Sequence, residues 1–209
     1  MGLLIHPAYF PNCLTMAALA QFQVTWEVCD NFQKQTFRNR CYIATDRGPL
    51  MLNIPIRHVG GSQGRQYYRD VRIDNTYNWQ RQHWRSLQTA YRSTPFFEYY
   101  EAELQPIFEK SFEYLLDLNF ATIEVLCRLL ELSLPAERTP TYQKHPDTLQ
   151  DGRELIRAKG SEPNKLTTYP QVFQERHGFL SNLSTLDLLF NEGTAATSYL
   201  QSLDLSWNA

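Results

Sequence analysis

One histidine lies at a position where the sequence predicts the protein core. Trp79, His83, Leu87 and Tyr91 recur every four residues, so on a helix they form one stripe facing the interior. A buried ionisable ring needs either a hydrogen-bond partner or a chemical task. Two interpretations of His83 follow: a core histidine bonded to a backbone carbonyl, or a general acid or base with a pKa near neutral pH.

A second group of reactive side chains lies in the segment 30–40, DNFQKQTFRNR. Lys34, Asn39 and Arg40 precede a predicted strand at 41–44. Arginine forks suit phosphate and carboxylate groups, and a lysine adds a further positive charge. The segment is therefore either an anion-binding loop or a solvated surface loop, which is the common state of charged loops.

His6 ends a short apolar run, residues 3–6, that predicts a buried strand. A rigid loop follows, and Asn12 is the predicted N-cap of a helix over residues 13–21. Ligands of α/β proteins gather where strands end beside helix starts, so His6 is a second candidate for proton transfer. The sequence shows no glycine-rich phosphate loop, nucleophile elbow or zinc spacing. We therefore expect no cofactor, covalent intermediate or metal.

Length and composition limit the classes of function. The chain has 209 residues, of which 43% are hydrophobic and 20% charged, as in a globular domain. Its 22 acidic and 20 basic residues give no basic excess, so a nucleic-acid partner is not expected. The apolar segment 115–134 carries four charged residues, too many for a transmembrane segment, and the four cysteines form no disulfide framework. We expect a cytoplasmic protein.

The remaining patterns predict an α/β fold. A strand is predicted at 24–29, a hairpin at 40–56, and helices at 79–91, 96–110 and 111–132. A further short helix is predicted with Ser184 as its N-cap and Gly193 at its C-terminal end. Residues 58–69 are rich in glycine and glutamine and are predicted to be mobile.

These elements predict one domain over residues 1–209. It would consist of an N-terminal mixed sheet with a β-hairpin, followed by a mostly helical second half. The polar segment 135–168 is predicted to be an exposed connection within this domain.

Four motifs, in this order, resemble the WbqC-like proteins, a bacterial family linked to lipopolysaccharide and surface-glycan biosynthesis. The motifs are PAYFPN, then DNFQKQTFRNR with the Gly48 hairpin and LNIPI, then WQRQHWRSLQTAYRSTPFFEYY, and finally YPQVFQERHGFLSNLSTLDLLFNEG. They span most of residues 3–193. The segment 135–168 differs, because it is shorter and more polar than the corresponding piece of other members.

The resemblance implies roles for particular residues. The positions that match the family pattern are Tyr9, Lys34, Asn39, Arg40, His83, Tyr91, Gln171 and Asp187. Of these, His83 is implied as a catalytic residue and the other seven as substrate-binding residues, with His6 as the second catalytic candidate.

Two hypotheses follow from the residues and the resemblance together. The first is a transferase acting on an activated sugar or on an acyl or aminoacyl donor. His83 or His6 would exchange a proton, and Lys34 and Arg40 would hold a phosphate or carboxylate of the donor. The second is a non-catalytic binding or scaffold subunit that partners a glycan-pathway enzyme. The first expects a small-molecule or glycan substrate. The second expects a stable complex with the enzyme and no response to a ligand by this protein alone.

Overall fold

The computed structural model describes residues 2–57, 66–158 and 166–205. The predicted fold class is confirmed, with small sheets in the N-terminal part and a mostly helical second half. Most of the segment predicted to be mobile, residues 58–65, lies outside the described residues.

The elements follow one another in this order: β1 (Gly2–Ile5), α1 (Cys13–Gln21), β2 (Gln23–Trp26), β3 (Arg40–Thr45), β4 (Gly48–Asn53), α2 (Trp79–Tyr91), α3 (Phe97–Glu109), α4 (Leu115–Leu129), β5 (Gln150–Asp151), α5 (Gln174–His177), α6 (Thr185–Glu192) and α7 (Ala196–Ser202). Short 3₁₀ helices lie at Tyr68–Asp70, Arg153–Ile156 and Gly193–Ala195.

A parallel sheet orders the start of the chain. Strand β1 lies between β2 and β5 and is parallel to both. Helix α1 makes the crossover that two parallel neighbours require. Leu3, Leu4 and Ile5 are buried, as expected for a central strand covered on both faces. The carboxyl ends of the three strands therefore meet at one edge of the sheet.

The predicted hairpin is confirmed as a second sheet. Strands β3 and β4 pair antiparallel, and the pairing ends at Thr45 and Gly48. Gly48 has a φ of +100°, a conformation that favours glycine. The sequence predicted a mixed sheet in the N-terminal part. In the described residues, the parallel and the antiparallel pairings belong to two separate sheets.

Both predicted helix caps are confirmed. The Asn12 side chain accepts a hydrogen bond from the Thr15 backbone N–H at 2.9 Å and starts α1. The Ser184 hydroxyl accepts one from the Leu186 N–H at 3.3 Å and starts α6. The same hydroxyl donates to the Phe10 carbonyl, so the cap also joins the two helix starts.

The inward stripe of α2 is also confirmed. Trp79, His83, Leu87 and Tyr91 are all buried, and the helix ends before Pro95. In the described ranges, no helix combines the length and the apolar character needed to cross a membrane.

The segment 135–168 supplies part of the sheet. It contributes β5, and its N-terminal part pairs with the end of β2 through Trp26 and Arg138. Since β5 is a polar strand of two residues, it carries no hydrophobic alternation that would have revealed it in the sequence. The segment therefore brings polar side chains to the carboxyl ends of the parallel strands.

Replacing Gly193 by alanine is expected to destabilise the protein by about 1–3 kcal/mol. Gly193 has a φ of +56°, and a Cβ there would lie 2.6 Å from the ring of Phe96. Urea unfolding of Gly193→Ala measures the change. Gly48→Ala is the control, because φ is also positive there but nothing lies within 4 Å of the added carbon. A loss at Gly193 no larger than at Gly48 would contradict the steric argument.

Candidate functional site

The segment 30–40 separates two clefts. The first, here called the Lys34 cleft, has a volume of about 670 Å³, and the segment lines it with Phe32, Lys34, Gln35, Asn39 and Arg40. The second, here called the His6 cleft, has a volume of about 460 Å³, and the segment lines it with Asp30, Gln33, Thr36 and Arg38. The segment thus directs its side chains to two sides. The predicted candidates Lys34, Asn39 and Arg40 are brought together, whereas His6 lines the other cleft.

The Lys34 cleft is basic. Lys34, Arg40 and Arg57 line it, against the single acid Asp74. Arg40 donates from one terminal nitrogen to the Met51 sulfur at 3.6 Å, and its Nε is buried without a hydrogen-bond partner in the described part of the chain. An arginine N–H without an acceptor favours an anionic ligand at this position.

Asn39 lies in the wall of the Lys34 cleft. Its Nδ2 donates to the Asn53 side-chain oxygen at 3.2 Å and to the Ile54 carbonyl at 3.1 Å. Its Oδ1 is buried and has no donor among residues 2–57, 66–158 and 166–205. Tyr77 also lines the cleft and is 62% exposed, so its ring is available for stacking on a sugar or a base.

His83 lies beneath the Lys34 cleft and does not line it. Its Nδ1 is 2.9 Å from the Tyr9 hydroxyl, and it also hydrogen-bonds the backbone of Asn53, which does line the cleft. Burial lowers the pKa of His83 to about 4, although the bond to Asn53 opposes the shift. His83 is therefore neutral at neutral pH. The backbone bond of the first interpretation is present, and the catalytic role of His83 stays a prediction.

Three further candidates form a buried network away from both clefts. The Asp187 carboxylate accepts hydrogen bonds from the Tyr91 hydroxyl at 2.7 Å, the Tyr169 hydroxyl at 2.7 Å and the Gln171 amide at 2.9 Å. Burial raises the pKa of Asp187 despite these three donors. The network joins α2, α6 and the segment at 169–171. The substrate-binding roles of Tyr91, Gln171 and Asp187 stay predictions.

His6 belongs to a buried charged cluster in the His6 cleft. Its Nε2 lies 2.9 Å from Asp30 Oδ2, and the Arg38 guanidinium donates to the same oxygen at 2.9 Å. Arg38 is only 1% exposed. His6 directly follows β1, Asp30 lies shortly after β2, and Arg153 lies shortly after β5. The cluster thus occupies the carboxyl edge of the parallel sheet, where α/β proteins bind ligands.

The charge states in this cluster follow from burial and pairing. Burial lowers the pKa of His6 to about 4, against the hydrogen bond to Asp30. For Asp30, burial favours the neutral acid, but the bond from His6 and the charge of Arg38 outweigh it and leave the pKa below its ordinary value. At neutral pH, His6 is neutral and Asp30 is ionised. A carboxylate only accepts, so His6 donates from Nε2 and carries its lone pair on Nδ1.

Sequence reasoning counted Arg38 among the cations of a possible anion-binding loop but assigned no role to Asp30 or Arg153. The charges of Asp30 and Arg38 could be read from the segment 30–40. The direction of their side chains could not, because the segment has no regular secondary structure. Arg153 binds Asp151 through Nε at 2.8 Å and donates to the carbonyls of Gln143 at 2.8 Å and Lys144 at 2.9 Å. It therefore fixes the loop that forms the outer wall of the His6 cleft. No local pattern in a polar connection indicates such a contact.

The groups available in the two clefts suit anions and hydrogen-bonding ligands. Lys34, Arg40 and Arg57 provide positive charge in one cleft, and Arg38 and Lys144 in the other. In the described part of the chain, no group of three or more His, Cys, Asp or Glu side chains is placed to hold a metal ion.

The fold and the clefts together define an α/β protein with one polar cleft at the carboxyl edge of a parallel sheet and a second polar cleft beside the hairpin. The chain matches the model of the WbqC-like protein family over residues 7–162 and belongs to that family. The uncharacterized protein Rv1507c of Mycobacterium tuberculosis is 27% identical to it over 201 residues, covering 81% of this chain and 84% of that protein. No solved structure matches the chain.

Stability is expected to fall as the pH falls from 6.5 to about 4. Both His6 and His83 have a folded-state pKa of about 4 against an ordinary 6.5, so the unfolded chain binds more protons in this window. Each ring contributes on the order of 3 kcal/mol, fully present above the window and lost towards its lower end. Urea unfolding at several pH values measures the slope.

The same urea unfolding series should be measured for His6→Asn and His83→Asn. In each variant the free energy of unfolding should change less with pH than it does in the wild type. Gln82→Asn is the control, because Gln82 is exposed on α2 and its side chain does not ionise, so the slope should equal that of the wild type. Slopes equal to the wild type in both test variants would show that these rings are not buried in neutral form.

Proposed function

We propose that this protein is a transferase of bacterial surface-glycan biosynthesis. Its Lys34 cleft would bind the phosphate or carboxylate of an activated sugar, or of an acyl or aminoacyl donor. The observation that carries the proposal is the convergence of Lys34, Asn39 and Arg40 on one cleft, with a buried Arg40 Nε that has no acceptor in the described residues. The pathway is inferred from family membership.

The cleft offers the parts that an activated donor needs. Lys34 and Arg40 supply the positive charge for the anion, and the Asn39 amide oxygen accepts from a hydroxyl or amide N–H. Phe32 and Tyr77 supply flat surfaces against which a sugar or a base can pack. A volume of about 670 Å³ is within the range of small-molecule sites.

The two histidines take different roles in this proposal. His83 is a positioning residue, because Tyr9 and the Asn53 backbone engage its ring and it acts on the cleft through Asn53. His6 would accept a proton only from a group bound in the His6 cleft, because it lines that cleft and not the Lys34 cleft; it is neutral and its Nδ1 has no partner among the described residues. The four cysteines are free thiols, which supports a location in the reducing cytoplasm.

A binding experiment tests the donor site. Calorimetry with a panel of nucleotide sugars, acyl-coenzyme A thioesters and amino acids should identify a ligand for the wild type. Lys34→Ala and Arg40→Ala should weaken its binding about 10- to 100-fold, since a hydrogen bond to a charged group contributes about 1.5–3 kcal/mol. Arg81→Ala is the control, as Arg81 lies on the exposed side of α2 outside both clefts. Equal affinity in all variants would contradict the assignment.

Turnover measurements then distinguish a transferase from a non-catalytic subunit. A bound donor that is consumed when amino sugars or other sugar acceptors are added identifies a transferase. A donor that binds but is never consumed, together with a stable complex between this protein and a glycan-pathway enzyme, would establish the alternative: a non-catalytic binding or scaffold subunit.

A further inference from the structure

We propose that the His6 cleft is a second ligand site, separate from the Lys34 cleft. It would take a small molecule that carries an amino or hydroxyl group and, a few bonds away, a phosphate or carboxylate. The existence of this site does not depend on the donor site.

Unpartnered nitrogens in the cleft floor are the first observation. His6 Nδ1 and Arg38 Nε are both buried, and neither has a hydrogen-bond partner in the three described ranges. Both side chains line the cleft, and both are held by the same Asp30 oxygen. Buried polar atoms are nearly always paired, so two such atoms in one cleft point to a ligand.

The two nitrogens define complementary parts of that ligand. Because His6 donates to Asp30 from Nε2, its Nδ1 accepts a hydrogen bond. Arg38 Nε can only donate. The ligand must therefore offer an N–H or O–H group to His6 and an oxygen to Arg38. An amino alcohol, an amino acid or an amino sugar has both groups on neighbouring atoms.

The charges around the cleft identify the third part of the ligand. The lining acids are each paired with an arginine: Asp30 with Arg38 at 2.9 Å, Asp151 with Arg153 at 2.6 Å and Glu154 with Arg157 at 2.7 Å. Lys144 also lines the cleft, and its ammonium has no carboxylate partner within the described residues. The uncompensated charge is therefore positive and exposed, which suits a phosphate or carboxylate at the mouth.

The His6 cleft is independent of the donor site. The two sets of lining residues have no member in common. The segment 33–36 separates the clefts, with Gln33 and Thr36 on one side and Lys34 and Gln35 on the other. A ligand of one cleft should therefore bind when the other cleft is disabled. Lys34 and Lys144 give a matched pair of lysine variants for this purpose, because each is exposed and lines one cleft.

The test uses three probes: O-phosphoethanolamine, glucosamine 6-phosphate and inorganic phosphate. With the full chain near pH 7, titration is followed by the ring resonances of His6 and by calorimetry. At least one of the two amino phosphates should shift the His6 signals and bind at least tenfold more tightly than phosphate alone. Lys144→Ala and His6→Gln should each lose about tenfold or more in affinity, while Lys34→Ala should bind as the wild type does.

The outcomes separate this proposal from the donor site. Loss in Lys144→Ala with retention in Lys34→Ala supports the His6 cleft even if no donor is ever found. Loss in Lys34→Ala with retention in Lys144→Ala would place the probes in the Lys34 cleft and overturn the proposal. Equal loss in both variants would contradict two separate sites and would also overturn it. Unchanged His6 signals with all three probes would also overturn it. If His6→Gln does not fold, Lys144→Ala decides alone, because Lys144 is exposed.

Discussion

The ion pair between Asp30 and Arg38, completed by His6, constrains much of this structure. A buried carboxylate that lost one of its partners would be strongly destabilising, so the three side chains must stay together. They come from the end of β1, the turn after β2 and the segment before β3. Arg38 also extends the constraint to other elements, because its carbonyl accepts from Asn119 at 2.7 Å and its guanidinium packs on the Tyr68 ring.

The two clefts follow from this constraint. Arg38 points towards Asp30 in the His6 cleft, whereas the next two residues, Asn39 and Arg40, both line the Lys34 cleft. The hairpin then continues from Arg40 and positions Asn53 and Ile54 against Asn39. Arg38 and its two neighbours thus reach different clefts from consecutive positions of one segment.

Periodicity and caps were predictable because they are local. The α2 stripe, the hairpin and the caps Asn12 and Ser184 depend on residues a few positions apart. Contacts that depend on distant residues were not. Asp187 has the spacing of a capping-box acid relative to Ser184, yet its carboxylate binds Tyr91, Tyr169 and Gln171, because these donors surround it in the core. The pairing of β5 has no hydrophobic signal for the same reason.

The comparison of His6 with His83 shows what distinguishes a candidate base from a structural histidine. Burial makes both rings neutral, so protonation state alone does not separate them. The two rings differ in their hydrogen bonds. His83 is bonded to Tyr9 and to the Asn53 backbone. His6 is bonded to Asp30 through Nε2, and its Nδ1 has no partner in the described residues. A neutral ring with a free lone pair, oriented by a carboxylate that stays ionised, is the arrangement that general-base catalysis requires. The periodicity of α2 indicated His83 in the sequence, whereas the unpartnered Nδ1 is the observation that supports the proposed role of His6 as a base.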